Sequence, residues 1–120
     1  MNTRTIDLDV SKKPAAVPVL YLGQRDRYGA TLKARVFDNG AALPLSGMSA
    51  RLVILLPDGK TVYSASSNSR SGNTATFNLS AAVVTSIAGQ TDVAYVQITS
   101  GESTTTTNRF TVIVHESAQR

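Results

Sequence analysis

The side chains of this 120-residue chain that suggest chemistry are few, and the first are two carboxylates, Asp7 and Asp9. Two positions apart in an extended segment, they share one face. Paired carboxylates bind calcium or work as acid and base when further oxygen ligands or a second acid surround them. No third oxygen-rich segment accompanies this pair, so the solvent face of an edge strand accounts for it. His115 is the only histidine. It falls on the face of the last strand opposite Phe110 and Val112 and reads as a surface or rim residue. A serine triad also needs its nucleophile on a sharp elbow, and neither NLSAA (residues 78–82) nor TSGES (residues 99–103) has that form. Phosphate-binding glycine loops, H-E-x-x-H and CxxC are absent, and there is no cysteine at all. The reading is a non-enzyme with no catalytic residue, cofactor or metal site.

Two further motifs have bland explanations. Asn78-Leu79-Ser80 is a formal glycosylation sequon, but the start MNTRTIDLDV has no apolar signal core. The chain is therefore expected to be made and folded in a cytoplasm, and the sequon to be accidental. GQRDRYG, residues 23–29, places Arg25 and Arg27 on one side of an extended segment. It is either a charged docking rim or a solvated loop before a strand.

Composition narrows the class further. Hydrophobic residues make up 42% and charged residues 17%, an ordinary globular balance. A chain this long buries roughly 65% of its unfolded surface and needs no covalent staple. The net charge of +4 is scattered rather than clustered, and aromatic residues are only 6%. Single-strand binding needs aromatics interleaved in a basic groove, so nucleic acid is not an expected partner. The longest strongly apolar run, residues 52–56, is far below the roughly 20 residues a membrane helix needs, so no membrane insertion is expected.

Elements that would position any site are read from periodicity. Ile6, Leu8 and Val10 alternate with polar residues, as do Tyr28, Ala30, Leu32, Ala34 and Val36 with Gly29, Thr31, Lys33 and Arg35. Asp38-Asn39-Gly40-Ala41 supplies turn chemistry, because Asn39 and Gly40 tolerate positive φ. The leucines of ALPLSGM, residues 42–48, are expected to tuck inward. Residues 51–67 read as a hairpin whose turn is Pro57-Asp58-Gly59-Lys60, with Ala50, Leu52, Ile54 and Leu56 on one face. Ala75, Phe77 and Leu79 are inward positions of the next strand. Val83, Val84 and Ile87 sit at helical spacing, with Ser80 as N-cap and Gly89 at C′, which predicts one short helix near residues 80–88. DVAYVQIT reads as a central strand, Thr104 to Thr107 as the start of an exposed one, and Phe110, Val112 and Val114 as the inner face of the last. The pattern predicts an all-β, two-sheet antiparallel Ig-like β-sandwich, with a small barrel as the alternative. One domain over residues 1–120 is expected, divided into an N-terminal arm and first strand (1–24) and a sandwich body (25–116).

These strings carry a resemblance. IDLDV, followed after a gap by YGATLKARVFDNGAALPLSGMSARLVILLPDGKTV, resembles the N-terminal domain of phage baseplate upper proteins, the BppU type of siphophages infecting Gram-positive bacteria. The likeness is clear over residues 6–62 and looser beyond. It implies a structural domain of the virion that docks a host-adsorption arm to the baseplate core. Phage baseplate or distal tail proteins are the implied partners. Longer members continue into a helical trimerising region, so homo-oligomerisation through a C-terminal region missing here is implied as well.

Docking candidates are the proline-punctuated arm with Val17, Val19, Leu20 and Leu22, the pair Arg25 and Arg27, and Val53 and Leu55 on the odd face of the hairpin. The arm either pairs within its own domain or adds to a neighbour's sheet. Val53 and Leu55 are either covered or mark an exposed apolar interface. The alternative function is an Ig-like carbohydrate-binding or adhesin module. That reading needs exposed aromatics, whereas most of Tyr21, Tyr28, Tyr63, Tyr95 and the phenylalanines are expected to face inward.

Overall fold

The computed structural model describes residues 2–11, 17–22, 29–56, 58–80, 82 and 89–114. Among them run eleven strands: β1 (Asn2–Asp9), β2 (Val19–Leu22), β3 (Gly29–Asp38), β4 (Ala41–Ala42), β5 (Ser49–Leu55), β6 (Val62–Ser66), β7 (Ser69–Ser71), β8 (Thr74–Ser80), β9 (Gly89–Ser100), β10 (Ser103–Thr106) and β11 (Phe110–Val114). The first sheet has the order β1-β3-β8-β7, with β4 beside β3; the second has β2-β11-β9-β5-β6, with β10 beside β9. The molecule is a two-sheet β-sandwich. The helix expected near residues 80–88 falls for the most part outside the described residues, and Ser80 is the last residue of β8.

Alternation dictates which side chains fill the sandwich. Leu32, Ala34 and Val36 of β3, Phe77 and Leu79 of β8, Leu52 and Ile54 of β5, Val96 of β9 and Phe110 and Val112 of β11 are all buried in one core. The two leucines after the Asp38–Ala41 turn also go inward: Leu45 is 1% exposed and Leu43 packs partly against the core. Leu45 is fixed there by its N–H to the Gly72 carbonyl (2.9 Å) and by its own carbonyl, which accepts from Met48 (3.0 Å).

The sheets are mixed, which corrects the purely antiparallel expectation. β1 runs parallel to β3, and β2 runs parallel to β11. Period-two alternation is the same in parallel and antiparallel strands, so the pattern alone does not reveal strand direction. The physical reason lies in the route of the chain. After β1 it crosses to the other sheet to form β2, then returns for β3. That excursion supplies the long connection that a parallel pair requires. Both arm strands join the common core through Ile6 and Leu8, and Leu20 and Leu22. Of the four threonines, Thr104 to Thr106 lie exposed in β10, but Thr107 is buried at 4%. Its hydroxyl accepts from the Val96 N–H (3.0 Å) and donates to the Asn108 carbonyl (3.1 Å).

β1 is stitched at several points. At its start, the Arg4 guanidinium reaches across to donate to the Tyr21 carbonyl of β2 (3.0 Å). At its end, Asp9 is a hub. Its carboxylate accepts the N–H groups of Ser11 (2.8 Å), Asn39 (2.9 Å) and Gly40 (2.8 Å). Asn39 and Gly40 both have positive φ, at 53° and 88°, which is the type I′ geometry of a two-residue hairpin. The Asp9 backbone also exchanges both its bonds with Asn108, between β10 and β11: its N–H donates to Asn108 Oδ1 (2.8 Å) and its carbonyl accepts from Asn108 N–H (2.9 Å). Asp7, by contrast, makes a two-pronged ion pair with Arg35 (2.5 and 2.7 Å), with the two side chains 52% and 49% exposed.

The two carboxylates therefore differ in weight. Asp9→Ala is expected to cost about 2 kcal/mol, since it strands several charge-assisted bonds, and Asp7→Ala less than about 1 kcal/mol, as for exposed pairs. Urea denaturation of the two variants measures the difference; equal midpoints would contradict it. Leu45→Ala is expected to cost about 2–5 kcal/mol by cavity formation, and more than Leu43→Ala in the same assay.

Candidate docking surface

With its inward half in the core, each strand of the second sheet has an outward half. On β5 that half is Arg51, Val53 and Leu55. Val53 lies opposite Ser64 of β6 and Tyr95 of β9, and Leu55 lies opposite Val62. On the far side, Ile113 of β11 pairs with Tyr21 of β2, and Thr111 with Val19. Every strand from β2 to β6 thus sends at least one apolar side chain outward. Tyr21 and Val62, at the two edges, are 55% and 56% exposed, and Val53, Leu55, Tyr95 and Ile113 between them are half-buried. The outer face of the first sheet is different in kind. It carries Thr3, Thr5, Asp7, Thr31, Lys33, Arg35, Thr76 and Asn78, and its one aromatic, Phe37, lies under the Arg35 guanidinium (5.7 Å to the ring centre). The outer face of the first sheet is almost wholly polar, whereas that of the second mixes apolar side chains with Arg51, Ser64, Ser66, Gln97, Thr99 and Thr111.

The same face carries a cation, Arg51, between Ser66 of β6 and Gln97 of β9. Arg51 donates through Nε to Ser64 Oγ (2.9 Å) and through Nη1 to Ser66 Oγ (3.1 Å). No carboxylate among the described residues pairs with it. Two hydroxyls of the neighbouring strand orient the guanidinium without neutralising it. At the end of the hairpin the Asp58 carboxylate accepts the N–H groups of Lys60 and Thr61 (2.8 Å each) and the Thr61 hydroxyl (2.6 Å). These bonds, the Thr61 hydroxyl first, hold the Asp58 carboxyl below its ordinary value. Tyr63, on the inner side of β6, has its hydroxyl pushed up by burial. At the flank where β1 and β2 lie side by side, a cleft of about 380 Å³ is lined by Arg4, Ile6, Val19 and Tyr21.

The structure sorts the candidates read from the sequence. Val17 and Val19 are exposed and Val53 and Leu55 are half-buried, all four on the second sheet or the segment leading into it. Leu20 and Leu22 are 1% and 0% exposed. They are the inward half of β2 and present no surface, because the arm pairs within its own domain. Arg25, Arg27 and His115 lie outside the described residues. Of the aromatics, most of which are expected inward, Tyr21 and Tyr95 face outward; β2 is short and apolar on both faces, and on β9 Tyr95 shares its outward face with Gln97 and Thr99. Arg51, Val62 and Ile113 were not singled out, although the phase of β5 carries Arg51 to the same face as Val53. Among the described residues no group of three or more His, Cys, Asp or Glu could hold a metal ion. Nor is any helix among them long and apolar enough to cross a membrane.

The fold is that of a two-sheet β-sandwich domain whose second sheet turns several apolar side chains outward. The BppU N-terminal domain family matches residues 1–120. The chain belongs to that family, and with it to the structural proteins of the phage baseplate, located in the virion tail among other baseplate proteins. The fold is similar to a solved structure, the N-terminal domain of phage TP901-1 ORF48, with a TM-score of 0.75 and 18% identity over 97% of this chain and 100% of that one. No curated protein matches the chain.

The Asp58 turn gives a test of the electrostatics. A depressed pKa means the carboxylate's bonds stabilise the turn above the unfolded value and are lost as pH falls through the folded one. Asp58 is expected to titrate below an ordinary aspartate, and Thr61→Val to move its titration upward, followed by NMR of the Lys60 and Thr61 amides. An unchanged titration in Thr61→Val would contradict the assignment.

Proposed function

We propose that this chain is the docking domain of a tail adsorption device, attaching a host-adsorption arm to the baseplate core. The observation that carries the reading is the family match across all of residues 1–120. The sandwich supports it: its polar groups serve turns and strand clasps, and its second sheet keeps an apolar outer face. Synthesis in the host cytoplasm and homo-oligomerisation through a region following the domain belong to the same proposal. The domain's part is to hold, with a rigid β surface, rather than to react.

A pull-down of the purified chain with the distal tail protein and baseplate hub of its phage is the direct test. Retention on at least one of them is expected. Failure to bind either, joined with micromolar binding on a glycan array, would replace docking with the carbohydrate-binding module.

A further inference from the structure

We infer that the outer face of the second sheet is the docking surface, and that its occupant is a different baseplate protein offering an apolar patch with a carboxylate opposite Arg51. The inference rests on the docking reading above and assigns it a place.

Three observations carry it. The first is the contrast between the two outer faces. Tyr21, Val53, Leu55, Val62 and Tyr95 face outward on one sheet, while threonines, Lys33 and the Asp7–Arg35 pair cover the other. Apolar side chains turned outward on one sheet, half-buried in the middle and exposed at its edges, make that face the favoured place for a partner. The second is Arg51. Its guanidinium is held by Ser64 and Ser66 and meets no carboxylate among the described residues. Arg51 sits between Ser66 and Gln97, two positions from Val53, and an arginine oriented in advance is suited to a planar carboxylate at an interface. A chain with net charge +4 gains more by offering that cation to an acidic partner than to its own copy.

The third is area. Five strands about 4.8 Å apart, each contributing roughly five residues at about 3.3 Å rise, cover about 400 Å² in projection. A stable interface buries about 800 Å² on each partner. A face of this extent suits one contact among several in a larger assembly. A contact of that size favours a place in the baseplate, where repeated contacts add their effects, over a second copy as sole occupant.

The test uses baseplate particles assembled without this protein as the probe. Binding of the full chain is titrated, with Arg51→Glu and Tyr21→Ser as exposed substitutions that leave the core intact. Lys33→Glu on the opposite face serves as control. A loss of about tenfold or more is expected for each outer-face variant, as for interface anchors, with Lys33→Glu close to wild type and unfolding temperatures unchanged throughout. Wild-type binding that survives Arg51→Glu and Tyr21→Ser but falls with Lys33→Glu would overturn the inference and leave docking standing. No binding by the wild-type chain would bring down the docking reading itself. A wild-type dimer in solution at micromolar concentration, dissolved by Arg51→Glu, would overturn the inference by making a second copy the occupant.

Discussion

The arrangement depends on β1. This strand lies at the edge of the first sheet, parallel to β3, and at each end it is bonded to the second sheet: Arg4 to the Tyr21 carbonyl, Asp9 to Asn108. Asp9 also gathers the three N–H groups of Ser11, Asn39 and Gly40, so the hairpin of β3 and β4 cannot open without losing them. A buried or half-buried carboxylate is tolerable only when such donors replace water. The result is that two sheets, a tight turn and the chain before the last strand are fixed relative to one another through one side chain. Edge strands are normally a liability for unwanted pairing. Here the Asp9 end of the edge is occupied by Asn108, an intramolecular substitute for a neighbouring strand.

Rigid closure of the sandwich has a consequence for its surface. With Leu20, Leu22, Leu52, Ile54 and Val112 packed inward, the outward half of the second sheet is set at fixed spacing: Tyr21 beside Ile113, Tyr95 beside Val53, Leu55 beside Val62. A preorganised apolar face loses little entropy when it meets a complementary one. Asp58 and its turn anchor the hairpin end nearest Val62, and Ser64 and Ser66 hold Arg51. A partner would therefore meet side chains already in position, the economy expected of a structural module in a virion.

Much of the fold was legible in the sequence. Alternation placed the inner faces of β3, β5, β8 and β11, and Asn39-Gly40 and Asp58-Gly59 marked their turns. The resemblance carried by residues 6–62 named the family that spans the whole chain. Strand direction was hidden, because parallel and antiparallel strands share one period, and so β1∥β3 and β2∥β11 were missed. Thr107 was hidden too: its burial depends on a bond to Val96, a residue eleven positions away whose proximity only the β9–β10 pairing creates. The surface was half visible. Val53 and Leu55 stood out because an apolar residue at the polar phase of a strand is conspicuous. Tyr21 did not, since both faces of β2 are apolar and the phase has no contrast; Tyr95 is amphipathic and passes for either face of β9. Of the two alternatives for the arm, pairing within its own domain holds for β2, which turns Leu20 and Leu22 inward.

The central claim is that the domain works through the outer face of its six-stranded sheet. An electron cryomicroscopy map of the intact tail tip tests it most directly. The account predicts density of a neighbouring protein against Arg51, Val53 and Tyr95, with Thr31, Lys33 and Arg35 facing solvent. A map in which the Lys33 and Arg35 face is covered and Arg51 and Tyr95 stand in solvent would contradict it.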